Sequence, residues 1–290
     1  MLLSILLAAA DPSPMSEPIQ AMLDAAMASG SEAEVSTVAK YARLAAPDSS
    51  QAITDAVDRW RGEKREKRDR ELREADLLQL WTGRAEVGGF ATTGNSATAG
   101  GTALMELTRE GLRTRLKLHA QADYAETRGI TTREHYLLAF EPNVKIDERL
   151  YVYGAAQYES DRFFGYSDRL AISSGLGYAA LRRSGLTLDV ELGPAYRATA
   201  FTDGRDERSL AGRGTIDLDW RLTEGLVFRQ DSAAYLDSFN STLTSTTALA
   251  AKVLGPISAQ LSYSVQYESR PPEGRTTTDT TSRASLVYSF

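Results

Sequence analysis

Through most of this chain apolar and polar residues alternate one for one in long runs, a period that few architectures accept. Between Leu112 and Tyr124, the residues Leu112, Thr114, Leu116, Leu118, Ala120, Ala122 and Tyr124 share one face. Arg113, Arg115, Lys117, His119, Gln121 and Asp123 share the other. A helix would scatter both sets around its surface, whereas a pleated strand separates them. Leu186, Leu188, Val190 and Leu192 alternate in the same way with Thr187, Asp189 and Glu191. Ile216, Leu218, Trp220 and Leu222 alternate with Asp217, Asp219 and Arg221, and the pattern returns from Ile257 to Glu268. Turn residues punctuate the runs at 93–96, 110–111, 128–129, 147–148, 184–185, 203–204, 224–225, 255–256 and 271–274. This spacing predicts about twelve strands of roughly 10–15 residues, over 82–92, 97–109, 112–126, 132–146, 149–161, 166–182, 185–199, 207–222, 225–237, 242–254, 257–269 and 278–290.

Strands in soluble proteins usually run about 5–6 residues, about half the length of these. Strands that cross a bilayer at a tilt need about 9–11. The predicted fold class is therefore mainly β, with about twelve antiparallel strands closed into a transmembrane barrel over residues 81–290. Such a barrel has a polar lumen and an apolar outer belt. A soluble β-rich protein with a helical arm is the alternative, and it would need a packed interior of Leu, Ile and Phe. Here the faces mix Gly, Ala, Ser and Thr with charge. Tyr151, Tyr153, Tyr158, Phe163, Phe164 and Tyr166 cluster near one expected rim. Tyr178, Tyr196, Phe201, Trp220, Phe228, Tyr235 and Tyr288 fall near other strand ends, as interfacial girdles would. In the final run Leu286, Tyr288 and Phe290 share a face, the expected assembly signal for the barrel-assembly machinery.

Before Trp81 the period is helical. Ile19, Met22, Leu23, Ala26 and Met27 fall on one helix face, as do Val35, Val38, Ala39 and Ala42, and then Ile53, Ala56, Val57 and Trp60. Three short amphipathic helices are expected, followed by a polar helix over 61–74. The pairs Glu63–Lys67, Glu66–Arg70 and Asp69–Arg73 stand at i,i+4 spacing in that last helix. Residues 15–80 are expected to be a periplasmic helical segment. Its candidate partners are a periplasmic protein or peptidoglycan, with a solvated spacer as the plainer reading. The apolar run Leu2 to Ala10, followed by Asp11 and Pro12, predicts a signal peptide over 1–10, ending in Ala8-Ala9-Ala10. It lacks Lys and Arg before the apolar run, so either the α-amino group supplies the charge or the start is misassigned. A buried N-terminal helix is the alternative. The localisation expected is the outer membrane of a two-membraned bacterium, with membrane lipids as partners.

In order along the chain stand Trp81-Thr82-Gly83, Gly88-Gly89-Phe90, Thr93-Gly94-Asn95-Ser96, Asp161-Arg162-Phe163, Gly165-Tyr166, Arg169 and Gly175-Leu176-Gly177-Tyr178. Glu191, Gly193, Tyr196, Arg197, Trp220, Thr278-Asp279-Thr280 and Tyr288-Ser289-Phe290 follow. In these elements the chain from Trp81 to Phe290 resembles a domain-of-unknown-function family described as salt-induced outer-membrane proteins. The resemblance implies an outer-membrane location and no known catalytic activity.

Net charge is −6, and the one dense basic run, Lys64 to Arg73, is threaded with acids. Nucleic acid is therefore not an expected partner. There is no cysteine, hence no thiolate site. Of the two histidines, His119 shares a polar face with Asp123, but four strand residues separate them by about 13 Å, too far for one ion. No metal, cofactor or catalytic residue is expected. The enzyme alternative, an outer-membrane lipid-modifying barrel, would pair His135 with Ser160 or Ser167 at a rim. Gly175-Leu176-Gly177 lacks a following helix and so implies close packing in the wall instead of a dinucleotide site. The candidate functional residues are the lumen charges Arg113, Arg115, Lys117, His119, Asp189, Glu191, Asp217 and Asp219. Two readings stand side by side. Opposed basic and acidic ladders select ions or small solutes in a narrow pore, or they pair across the lumen and plug it, leaving a structural barrel.

Overall fold

The computed structural model describes residues 15–76, 78–94, 97–271 and 274–290. The expected signal peptide and the turn residues Asn95, Ser96, Pro272 and Glu273 lie outside them. The chain divides into two compact units, which meet in sequence between Ala75 and Asp76.

The first unit holds three helices: α1 (Glu17–Ala28), α2 (Glu32–Ala45) and α3 (Ser50–Glu74), with a 3₁₀ turn at Pro47–Ser49. Pro18 sits in the first turn of α1, where its missing N–H costs nothing. Ser31 caps α2 by accepting from the Glu34 N–H at 3.3 Å. Leu23, Ala26, Val35, Ala39, Ala42, Ile53 and Val57 form the core, all on the apolar faces of the 3.6-residue period. The polar helix expected as a separate element is the second half of α3. Nothing at 60–61 breaks the helix, and Gly62 alone costs only about 1 kcal/mol. Arg61 and Lys64 hold that stretch, Arg61 by a 2.6 Å ion pair to Glu32 and Lys64 by a 2.5 Å bond to the Gly30 carbonyl. The expected i,i+4 pairs are not among the ion pairs of the described residues, as suits contacts worth about 0.3–0.5 kcal/mol on a hydrated surface.

The second unit is a closed barrel of twelve antiparallel strands, each bonded to its sequence neighbours and the last to the first. The strands are β1 (Trp81–Thr93), β2 (Thr98–Glu110), β3 (Thr114–Thr127), β4 (Ile130–Lys145), β5 (Leu150–Asp161), β6 (Tyr166–Arg183), β7 (Leu186–Phe201), β8 (Asp206–Thr223), β9 (Leu226–Asp237), β10 (Thr242–Leu254), β11 (Ile257–Glu268) and β12 (Thr278–Ser289). Closure is sealed where Gly83 and Phe290 exchange backbone bonds of 2.9 and 3.0 Å. Turns at the end bearing these termini are mostly tight, as at 184–185, 224–225 and 255–256, and the connections at the other end are mostly longer, up to 269–277. Arg128 and Gly129 both have positive φ, 53° and 80°, and join β3 to β4 in the primed turn that matches strand twist. At the β4–β5 turn the Asp147 carboxylate accepts from the Arg149 and Leu150 N–H groups, each at 2.7 Å. Those bonds hold its pKa below the usual carboxylate range.

Alternation puts one residue set outside and the other inside. Val87, Leu138, Ile172, Leu176, Leu192, Leu210, Leu261 and Leu286 are exposed on the outer face. Polar and charged residues predominate inside, with a smaller apolar share that includes Phe90, Tyr151, Tyr153 and Val287, the group Ala171, Ala195, Ala211 and Tyr235, and Phe164, Tyr166 and Phe201 at the long-loop end. The aromatics divide accordingly. Tyr158, Tyr178, Tyr196, Trp220 and Tyr288 are exposed outside. Tyr151, Tyr153, Phe164, Tyr166, Phe201 and Tyr235 are buried and do not belong to a girdle. Clustering in sequence did not reveal this, because strand position within the pair, not proximity to a turn, decides the face. Tyr151 lies flat on the wall at Gly177, where a Cβ would stand 2.1 Å from the ring. Gly175 and Gly193 likewise leave room for the backbones of β6 and β7 to approach, since a Cβ on either would meet the other's Cα at 2.7 Å.

Candidate functional site

The lumen is filled by charged side chains from every part of the ring. Near the tight-turn end, Lys117 of β3 reaches Glu141 of β4 at 3.1 Å, Glu191 of β7 at 4.0 Å and Asp217 of β8 at 3.5 Å. Arg213 of β8 joins the same carboxylates, 3.1 Å from Glu141 and 2.9 Å from Glu191. Its guanidinium also lies 4.9 Å from the centre of the Tyr153 ring, a geometry that favours the cation. Tyr151 donates to Glu191 at 3.0 Å and Thr215 donates to its other oxygen at 3.1 Å. Arg115 of β3 pairs with Asp189 of β7 at 3.4 Å and also with Glu110, and Arg182 reaches Asp189 at 2.7 Å.

Beside this cluster, Arg84 pairs with Glu106 at 2.8 Å, and His119 meets the same carboxylate at 3.3 Å. Glu86 accepts from Gln260 at 2.8 Å and from Ser285 at 2.6 Å. Arg229 donates to Gln260 at 3.1 Å and pairs with Asp219 at 3.1 Å.

Towards the long-loop end lies a third network. His135 is held between Asp123 and Glu159, with Nδ1 and Nε2 each 3.2 Å from a carboxylate oxygen. Asp123, fully buried, also accepts from Thr102 at 2.7 Å and pairs with Arg283 of β12 at 3.0 Å. Arg133 pairs with Asp161 at 2.9 Å, and Tyr166 donates to Glu159 at 2.7 Å. Arg169 of β6 stacks on Tyr166 at 3.7 Å and pairs with Glu268 of β11 at 3.0 Å. Glu268 accepts in addition from Asn240 at 3.0 Å, and Arg197 donates to the Asn240 carbonyl at 3.2 Å.

Several of these pairs join strands that are not neighbours. Lys117–Asp217 and Arg169–Glu268 each span five positions in a ring of twelve. Arg213–Glu141 and Arg115–Asp189 span four. Side chains of ordinary reach meet across such separations only where the section is narrow, so these pairs reach across the middle of the lumen. A cavity of about 10 Å³ lies between Arg169, Arg197, Thr199, Ser209, Asp237 and Asn240, room for one water at most.

The eight charges singled out from sequence have distinct fates. Arg115, Lys117, Asp189, Glu191 and Asp217 come together in one cluster. His119 and Asp219 belong to the neighbouring one. Arg113 departs from the expected ladder: it stands exposed in the turn before β3, because the strand begins at Thr114 and alternation no longer fixes its side. Leu286, Tyr288 and Phe290 lie exposed on the outer face, with the two rings 5.9 Å apart and stacked. Reading one strand at a time missed Glu141, Arg213, Arg169, Glu268, Arg283, Glu159 and Arg133. Each occupies the polar half of an alternating run, which was the available signal, but only closure shows which of them meet. His135 does not pair with serine. It points into the lumen, while Ser160 and Ser167 donate to the backbone carbonyls of Ser167 and Ala200. Among the described residues no group of three or more His, Asp or Glu side chains has the arrangement of a metal site.

Comparison with known proteins places this barrel among others. The family described as "Protein of unknown function, DUF481" matches residues 85–290. An uncharacterized protein of Escherichia coli (strain K12), YdiY, is 26% identical over 217 residues, which make up 74% of this chain and 86% of that one. Among solved structures, the NanC porin superposes with a TM-score of 0.49 at 11% identity, covering 70% of this chain and 98% of its own. The COG4313 outer membrane channel from Pseudomonas putida F1 gives 0.45 at 9% identity, covering 75% and 100%.

Proposed function

This chain belongs to the DUF481 family, and we propose that it is a bacterial outer-membrane barrel whose lumen is held closed to solutes by ion pairs running from wall to wall. The supporting observation is the set of pairs between non-adjacent strands: Lys117–Asp217, Arg213–Glu141, Arg115–Asp189 and Arg169–Glu268. Membrane insertion is supported by the exposed Leu, Ile and Val of the outer face and by the Tyr and Trp residues near its margins. A water-soluble barrel would carry those residues inside. The helical segment stands in the periplasm, because the chain enters β1 at the end with the tighter turns. The outward row Leu286, Tyr288 and Phe290 is the segment that the barrel-assembly machinery reads.

Planar-bilayer recording tests closure. The parent protein is expected to be silent, and the variant carrying Arg115→Gln, Lys117→Gln, Arg169→Gln and Arg213→Gln together to conduct with cation preference, because it removes the cation of every wall-to-wall pair and leaves the carboxylates facing the lumen. Steady conductance of the parent, unchanged in the variant, would overturn the closed-lumen reading in favour of a narrow pore. Absence of a mobility difference between unboiled and boiled membrane protein would remove the membrane barrel itself.

A further inference from the structure

The outer face is not uniform around the ring. On β4 to β8 it presents large apolar side chains, among them Tyr136, Leu138, Phe140, Val152, Ile172, Leu176, Leu192 and Ile216. On β9 and β10 it presents a hydrogen-bonded polar cluster between apolar residues, Phe228 and Leu249 on one side and Leu236 and Leu243 on the other. The Gln230 amide donates to Ser245 at 2.8 Å and to Ser232 at 3.1 Å, and its carbonyl accepts from Thr247 at 2.5 Å. Ser232 and Ser245 share a further bond of 3.1 Å. Register places this cluster at the depth of the belt. Gln230 lies opposite Leu218 and Ser232 opposite Ile216, inside the rung where Phe228 meets Trp220. Farther round, β12, β1 and β2 show small or hydroxyl side chains outward towards the long-loop end, Ser282, Ala284, Gly89, Ala91, Ala99 and Gly101, and larger ones, Leu286, Val87 and Met105, towards the tight-turn end.

Even bonded to one another, the amide and hydroxyl groups keep lone pairs that hydrocarbon cannot satisfy, and small residues let membrane elements pack closely. Together they mark a face built against protein, not lipid. We propose that the outer face from β9 to β2 is the interface with a second copy of this chain, within the same membrane. This rests on the outer-membrane reading given above. Two properties point to a second copy as the occupant. The cluster carries both donors and acceptors with spare lone pairs, so it complements itself about a two-fold axis. Two convex barrels touch along a strip, and about three strands at about 4.8 Å spacing, over a belt about 25 Å tall, give roughly 360 Å² per copy, the size of a weak, reversible contact. Leu261 and Tyr263 on β11 form a ridge beside the small-residue face, 67% and 49% exposed, and can seat in the partner's small-residue face.

The chain has no cysteine, so single-cysteine variants report position cleanly. Ser282→Cys on β12 and Ile172→Cys on β6 stand six positions apart in the ring. In outer membranes treated with a short bis-maleimide, Ser282→Cys is expected to give a band of twice the chain mass and Ile172→Cys only monomer. Gln230→Leu in the Ser282→Cys background is expected to weaken dimerisation about threefold for each hydrogen bond lost. Monomer alone from both cysteine variants, or an adduct of another mass from Ser282→Cys, would overturn the proposal. The heat-induced mobility shift is recorded on the same samples. If it is kept while dimer is absent, only the interface fails; if it is lost in the parent protein, the membrane barrel fails and the interface with it.

Discussion

Arg169→Leu removes one half of a pair whose two side chains are only 6% and 0% exposed. Glu268 would keep the Asn240 amide at 3.0 Å and lose its 3.0 Å cation. A buried carboxylate stripped of its partner costs about 3–5 kcal/mol. The lost stacking of Arg169 on Tyr166, centred 3.7 Å away, adds up to about 2 kcal/mol, though the two effects share a side chain and do not add fully. The variant is therefore expected to lose at least about 3 kcal/mol, a large part of the roughly 5–15 kcal/mol that holds a typical domain. Glu268→Leu in the Arg169→Leu background should recover most of that loss, because the double variant no longer desolvates either ion. Urea titration in lipid vesicles, followed by the mobility of unboiled samples, measures all three proteins. If Arg169→Leu alone stays within about 1 kcal/mol of the parent, or the double variant is the weaker of the two, the pair does not brace the lumen as the geometry requires.

Two further outcomes follow from the outer face and the helices. Leu192 is 71% exposed at the centre of the outer face, so Leu192→Arg should lower stability in vesicles by about 2–4 kcal/mol. An unshifted urea midpoint would mean that the face meets water, where such a change stays within about ±0.5 kcal/mol. Ile53 is fully buried in the helical core, and Ile53→Ala should cost about 2–5 kcal/mol, enough to melt so small a unit. Far-UV circular dichroism of the full chain should then lose its helical component while the barrel keeps its heat-induced mobility shift. An unchanged helical signal would refute that estimate.

The alternation Leu112 to Tyr124 was enough to predict β3 and its two faces, because a period of two is incompatible with a helix. Turn residues set the strand ends to within two residues in every case, from 82–92 against Trp81–Thr93 to 278–290 against Thr278–Ser289. Local signals failed where the deciding contact was distant or a breaker was absent. The polar half of α3 reads as its own helix because its composition changes at Arg61, yet backbone continuity ignores composition. Tyr151 and Tyr153 resemble rim aromatics, yet both point inward, Tyr151 onto the wall at Gly177.

The sequence by itself determined the strand period, the number of strands, the helical unit and, Arg113 apart, which of the eight candidate charges lie on a strand's polar face. All of these are properties of residues within about one element of each other. Only the closed ring decided that Lys117 meets Asp217 and Arg169 meets Glu268, residues 100 and 99 positions apart in the chain. Ring closure and register fix those meetings, and neither is encoded in any single strand. On the outer face a single hairpin suffices: β9 and β10 are consecutive strands, and the register between them brings Gln230 and Ser245 into one polar cluster at the depth of the belt.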